Sequence, residues 1–137
     1  MAALTITAAN IVPVSGFSRV SPDPIAATTI AQGEACYINS SSLAALAQCD
    51  GTATEATVAG IAVNAALAGQ PVCLQSGGSL GFGAILTAGT PYAVGRVAGQ
   101  IIPVSDLAST DKISYLGIAS TTSNLVLGIN NTGVTKA

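Results

Sequence analysis

Residues 75–92 read QSGGSLGFGAILTAGTPY, and the role of their glycines decides what kind of protein this is. Glycines at this density either cradle a phosphate or turn a chain. A phosphate loop needs its spaced glycine pair followed at once by Lys and then Ser or Thr. The ammonium meets the outer phosphates and the hydroxyl holds magnesium. Gly78 and Gly83 have the spacing, but Ala84 and Ile85 stand where those residues belong. The dinucleotide pattern fails as well, because Gly81-Phe82-Gly83 runs on into Ala84, Ile85 and Leu86. No Lys or Arg lies between Arg19 and Arg96 to balance an anion. The stretch reads instead as turn and strand. Gly77-Gly78 is a hairpin-type turn signal, and Leu80, Phe82 and Ala84 alternate with Gly81, Gly83 and Ile85.

On either side of this stretch the chain echoes itself. Residues 31–74 read AQGEACYINSSSLAALAQCDGTATEATVAGIAVNAALAGQPVCL, and residues 87–129 read TAGTPYAVGRVAGQIIPVSDLASTDKISYLGIASTTSNLVLGI. Each segment opens with a turn glycine, Gly33 or Gly89, and a short strand carrying Tyr37 or Tyr92. Each then passes a polar loop to the same tripeptide, Gly60-Ile61-Ala62 or Gly117-Ile118-Ala119. The opening glycines are 56 residues apart and the tripeptide glycines 57, which identifies a pseudo-repeat over about 33–74 and 89–129. On this reading Gly69, Gly77, Gly78 and Gly89 mark turns at the seam between two copies of one β unit.

Short β-rich runs at 36–39, 57–63, 72–75, 92–97, 101–104, 113–118 and 125–129 are separated by turn residues. That spacing predicts an all-β fold, a small β-barrel or sandwich built from two similar β units. Residues 42–47, SLAALA, have good helix formers, but a helix this short cannot stand alone, so they read as the return strand of a hairpin.

The first 29 residues differ from the β domain at 30–137. Pro13, Pro22 and Pro24 oppose regular ladder pairing and favour extended chain. With Ile11, Val12, Val14, Phe17 and Val20 beside them, they read as an extended N-terminal arm that orders against a neighbour, the alternative being a loose terminus.

Composition limits the function. A chain of 137 residues suits one domain that buries roughly two-thirds of its unfolded surface. Charged residues make up 7%, against about 25% in ordinary soluble proteins, while hydrophobic residues reach 50%. Ala fills 25 positions. A surface so poor in ions favours close-packed assembly, because little desolvation is spent at each contact. Four scattered cations, Arg19, Arg96, Lys112 and Lys136, argue against a nucleic-acid partner. Every apolar run is interrupted well before the ~18 residues of a membrane helix. The N-terminus MAALTITAAN has neither the basic region nor the apolar run of a signal peptide, so synthesis and folding in a cytosol are expected.

The residues of catalysis are thin. With no His, the commonest general base and metal ligand is missing, and thiols at Cys36, Cys49 and Cys73 lack an imidazole to activate them. Three cysteines make no disulfide framework, although Cys36 and Cys49 could face each other across a hairpin; three buried thiols are the expected state. Ser109-Thr110-Asp111-Lys112 matches the Ser-x-x-Lys pattern of serine acylases but lacks that pattern's companion motifs. Asp106 and Asp111 could pair around a cation, yet they read better as a solvated loop. No enzyme, no metal and no cofactor is expected.

The turn glycine and short strand at 33–38, the Gly-Ile-Ala tripeptides, the Ala68-Gly69-Gln70-Pro71-Val72 run and residues 89–94 together resemble something known. The pattern is similar to the capsid decoration, or cement, proteins of tailed bacteriophages, which are short, Ala/Gly/Thr-rich and nearly chargeless. The likeness covers roughly residues 30–134 and rests on pattern and composition. It implies a structural virion protein on the capsid exterior, commonly a homotrimer, assembled in the host cytoplasm and clamping neighbouring major capsid subunits. On that view Ile11, Val14, Phe17 and Arg19 are the arm's partner contacts, and the arm adds a strand to a neighbour's sheet. The alternatives are a phage tail or fibre module, or a small β-barrel that binds a ligand or glycan.

Overall fold

The computed structural model describes residues 4–137, which fold into nine strands. β1 (Val12–Arg19) comes first. The first unit then supplies β2 (Ala35–Ile38), β3 (Ala44–Leu46), β4 (Gly60–Ala62) and β5 (Leu74–Gly81). The second unit supplies β6 (Pro91–Val94), β7 (Ile101–Pro103), β8 (Lys112–Ala119) and β9 (Asn124–Thr135). They form one curled antiparallel sheet, half a barrel, so the fold is all-β as the turn spacing predicts. The order is β3-β2-β4-β5-β9-β8-β6-β7, with β1 paired to β5. Each unit therefore places its strands in the same sequence, second, first, third, fourth, and the units meet through their fourth strands. No helix among the described residues is long and apolar enough to cross a membrane.

The registers of the two units match residue for residue. Ala35 pairs with Ile61, which pairs with Gln75. In the second unit Pro91 pairs with Ile118, which pairs with Val126. Gly33 and Gly89, both with positive φ, donate to the carbonyls of Ala62 and Ala119 at 2.8 and 2.7 Å. Local chemistry sets the turns. Asn39 Oδ1 accepts from the amides of Ser41 and Leu43 at 2.9 and 3.0 Å, closing the β2–β3 hairpin as an Asx turn. Thr121 Oγ1 does the same for Ser123 and Asn124 between β8 and β9. Residues 44–46 form the return strand expected of them.

Two sequence expectations need correction. Gly77-Gly78 is no turn: β5 runs straight through both, held by β9 along 77–81 and by β1. Gly78 takes φ +82° opposite the irregularity between Ser15 and Ser18 of β1, and a side chain there would strike the backbone of Ser15 and Gly16. A glycine pair signals a turn only when no neighbour straightens it, and here there are two. Pro13 likewise does not keep the N-terminal segment off the ladder, though the pairing is irregular, whereas Pro22 and Pro24 lie outside β1. Pro13 lies within β1 opposite Leu80, on a strand whose pairing with β5 shifts register three times.

The core has two parts. In the first unit, Cys36, Ala44, Ala62 and Leu74 pack with Ala26, Ile30, Ala66 and Val72. The second unit's counterparts, Tyr92, Ile101, Ala119 and Leu125, pack in the larger cluster together with Ala35 and Ile61 of the first unit. The inner face of the second unit thus lies over the other face of the first. Backbone bonds fasten the seam: Ala35 N to Gly99 O at 3.1 Å, Gly99 N to Ala47 O at 2.7 Å and Cys49 N to Gly95 O at 2.9 Å.

Candidate interaction surface

The polar groups are spent on holding the fold. Asp111 is fully buried and accepts from Arg96 Nε at 2.7 Å and from the Ala108 amide at 2.8 Å. Burial works to raise its carboxyl pKa, but the Arg96 guanidinium and the Ala108 amide outweigh it and leave the group below its ordinary value. Asp111 thus serves Arg96 and is buried, where the sequence suggested a solvated loop. Lys112 Nζ donates to the Gly51 carbonyl at 2.5 Å, and Ser109 lies exposed in a turn, so the Ser-x-x-Lys pattern assembles no nucleophile. Among the described residues, no three His, Cys, Asp or Glu side chains gather as metal ligands would.

The cysteines are free, and Cys36 and Cys49 occupy different core clusters, so the hairpin bridge does not form. Burial pushes both thiols up to about 12, helped by Glu34 at Cys36 and chiefly by Asp111 at Cys49. Such thiols stay protonated and are poor nucleophiles. In a cavity of about 310 Å³, the side chains of Lys112, Ser114 and Asn131 are already committed. Asn131 mimics a strand, accepting from Val58 N and donating to Val58 O.

What the molecule leaves open is apolar surface. Every residue of β1 is exposed, although its backbone pairs along β5. Val12, Val14 and Phe17 stand out at 54%, 52% and 44% exposure. Among the described residues the ladder of β1 runs to β5 alone, which leaves its other edge unpaired. Of the four arm residues singled out from sequence, Val14, Phe17 and Arg19 lie on this strand. Arg19 is exposed and meets Asp23 at 3.3 Å. Ile11 is different. It is buried in the chain's own core, where it anchors the start of β1 and is not offered to a partner.

A second open region was not legible in the sequence. On the outer face of the second unit, Pro91, Ile118 and Val126 form one cross-strand row, with Ile118 55% and Val126 45% exposed. Beside it lies a shallow depression lined by Pro91, Tyr115, Gly117, Ile118, Gly128 and Asn130. Its smoothness has a cause. A side chain at Gly117 would run into the backbone of Val126 and Leu127, and nothing stands above Gly128. The only sequence signal is the repeat, which equates Ile118 with the buried Ile61. No family model matches the chain, and no curated protein matches it.

Proposed function

We propose that the protein is a structural component of a tailed-phage particle, one that binds the outside of the capsid and ties neighbouring major capsid subunits together. The resemblance to capsid decoration proteins suggests the particle. The single observation that supports the binding role is β1, an eight-residue strand with apolar side chains exposed on a free edge. Natural monomers blunt such edges with charge or cover them, and here Arg19 is the strand's single charge. A capsid subunit that adds a strand there gains main-chain hydrogen bonds, with Val14 and Phe17 supplying apolar contact. Binding to the assembled lattice and not to the loose subunit adds its free energy to shell stability. Several such contacts act together through effective concentration.

The test uses point substitutions, because removing residues 1–25 would also remove Ile11 from the core. Purified shells lacking the protein are mixed with wild type, Val14→Lys or Phe17→Ser, then sedimented to read occupancy. Both side chains are exposed, so the variants are expected to fold normally and to bind at least about tenfold more weakly. Occupancy equal to wild type for both variants would sink the assignment of β1 as the gripping element.

A further inference from the structure

We propose that β1 is a strap that leaves and rejoins the edge of β5 as a unit while the rest of the sheet stays folded, baring residues 75–81 of β5 whenever it is away. The two edges of β5 supply the comparison. Along 77–81 its pairing with β9 is unbroken, position for position. Against β1 the pairing shifts register three times between Val12 and Arg19. A ladder interrupted in this way leaves backbone groups unpaired and resists opening less.

Burial separates the strap from its anchors. Every residue of β1 is exposed, and all eight side chains lie outside both core clusters. The residues at its two ends do not. Ile11 packs in the larger cluster, and Val20 packs against the first unit's cluster. Val20 N also donates to the Leu74 carbonyl at 3.0 Å. Residues 12–19 therefore stretch between two fixed points, and no apolar side chain leaves the core when they lift. A segment with few buried contacts and exposed backbone bonds opens well below the cost of global unfolding. β5 keeps its place meanwhile, because Leu74 and Leu80 stay in the two clusters and β4 and β9 stay paired to it. The close fit of Gly78 against Gly16 keeps the closed form the populated one.

The inference rests on this geometry and not on what the protein binds, so it stands or falls apart from the capsid reading. The experiment is residue-resolved hydrogen exchange on the native protein, at urea concentrations below the unfolding transition. Amides of β1, and those of β5 that face it, are expected to exchange at least about a hundredfold faster than amides shared between β5 and β9. Their rates should barely respond to urea, since the opening exposes little surface. A staple supplies the control. A Cβ added at Gly77 stands 3.4 Å from the Cβ of Ser18, close to the ~3.8 Å of a disulfide. Ser18→Cys with Gly77→Cys, in a Cys73→Ser background, therefore ties β1 to β5. Oxidation is expected to slow exchange in β1 at least about tenfold, and reduction to restore it. If the staple does not form, the wild-type urea series decides alone. Amides of β1 as protected as the β5–β9 pairs, with the same steep urea dependence, would overturn the inference. So would an oxidised staple that leaves exchange in β1 unchanged.

Discussion

Asp111 joins three segments that lie far apart in sequence. Its carboxylate meets Arg96 from the β6–β7 loop and the Ala108 amide of its own turn, while its backbone N–H and that of Lys136 close on Ala108 and Asp111 carbonyls. Removing it by Asp111→Ala leaves the Ala108 amide without its acceptor, whereas Arg96, half exposed, returns to water. The expected cost is about 1–3 kcal/mol, read as a lower urea midpoint. Because its folded pKa lies below the unfolded value, the stabilisation is present above the unfolded pKa and is lost as pH falls through the folded one. Wild type should therefore lose stability more steeply than Asp111→Asn below about pH 4, in urea titrations taken at successive pH values. Thiol labelling gives a second residue-scale outcome. Cys36 and Cys49, buried and held protonated, should resist modification until the chain unfolds, while half-buried Cys73 reacts first. Early labelling of all three would contradict the two buried environments.

At the scale of elements, β5 is the strand on which the sheet depends. It is bordered by β4, β9 and β1, and Gly78 fits closely against Gly16. Gly78→Ala meets both a left-handed backbone and a collision with neighbouring backbone, whereas Gly89→Ala meets only the first. The second change should cost about 1–2 kcal/mol and the first about 1–3 kcal/mol more, compared by urea midpoints. Equal costs would mean that β1 gives way easily. The same strand shows where sequence reasoning stops. The β-rich runs around Tyr37, Ile61, Tyr92, Ile101, Ile113 and Leu125 were legible because short apolar stretches between turn residues have few other uses. The continuation of β5 through Gly77-Gly78 was not, because the neighbours that straighten it come from distant parts of the chain. In the arm, hydrophobicity was enough to single out Val14 and Phe17 as exposed apolar residues. It could not separate them from Ile11, whose burial depends on where the segment docks. Ile118 was hidden more completely, since Gly-Ile-Ala reads the same in both units and only their stacking distinguishes a covered row from an open one.

At the scale of the whole molecule, scarcity of charge is the governing property. With ten ionisable Lys, Arg, Asp and Glu side chains in 137 residues, association has little Coulombic energy to screen. Binding to shells through β1 should therefore change little between about 0.05 and about 0.5 M salt, measured by the same sedimentation of occupied shells. A steep loss with salt would point to contacts through Arg19, Lys112 or Lys136 instead.

The meeting of the two units through β5 and β9 also governs the order in which the protein can be made. β9, which pairs with β5 in the middle of the sheet, is made after the other eight described strands. Until the second unit has been synthesised, Ala35 and Ile61 of the first lack their cover. Closing the sheet demands contacts between distant parts of the chain, which fold slowly. A nascent chain stalled before β8 holds a bare apolar row next to an unpaired edge, a species prone to clump with others on the same message. Slower translation through the second unit should therefore lower the yield of folded chain.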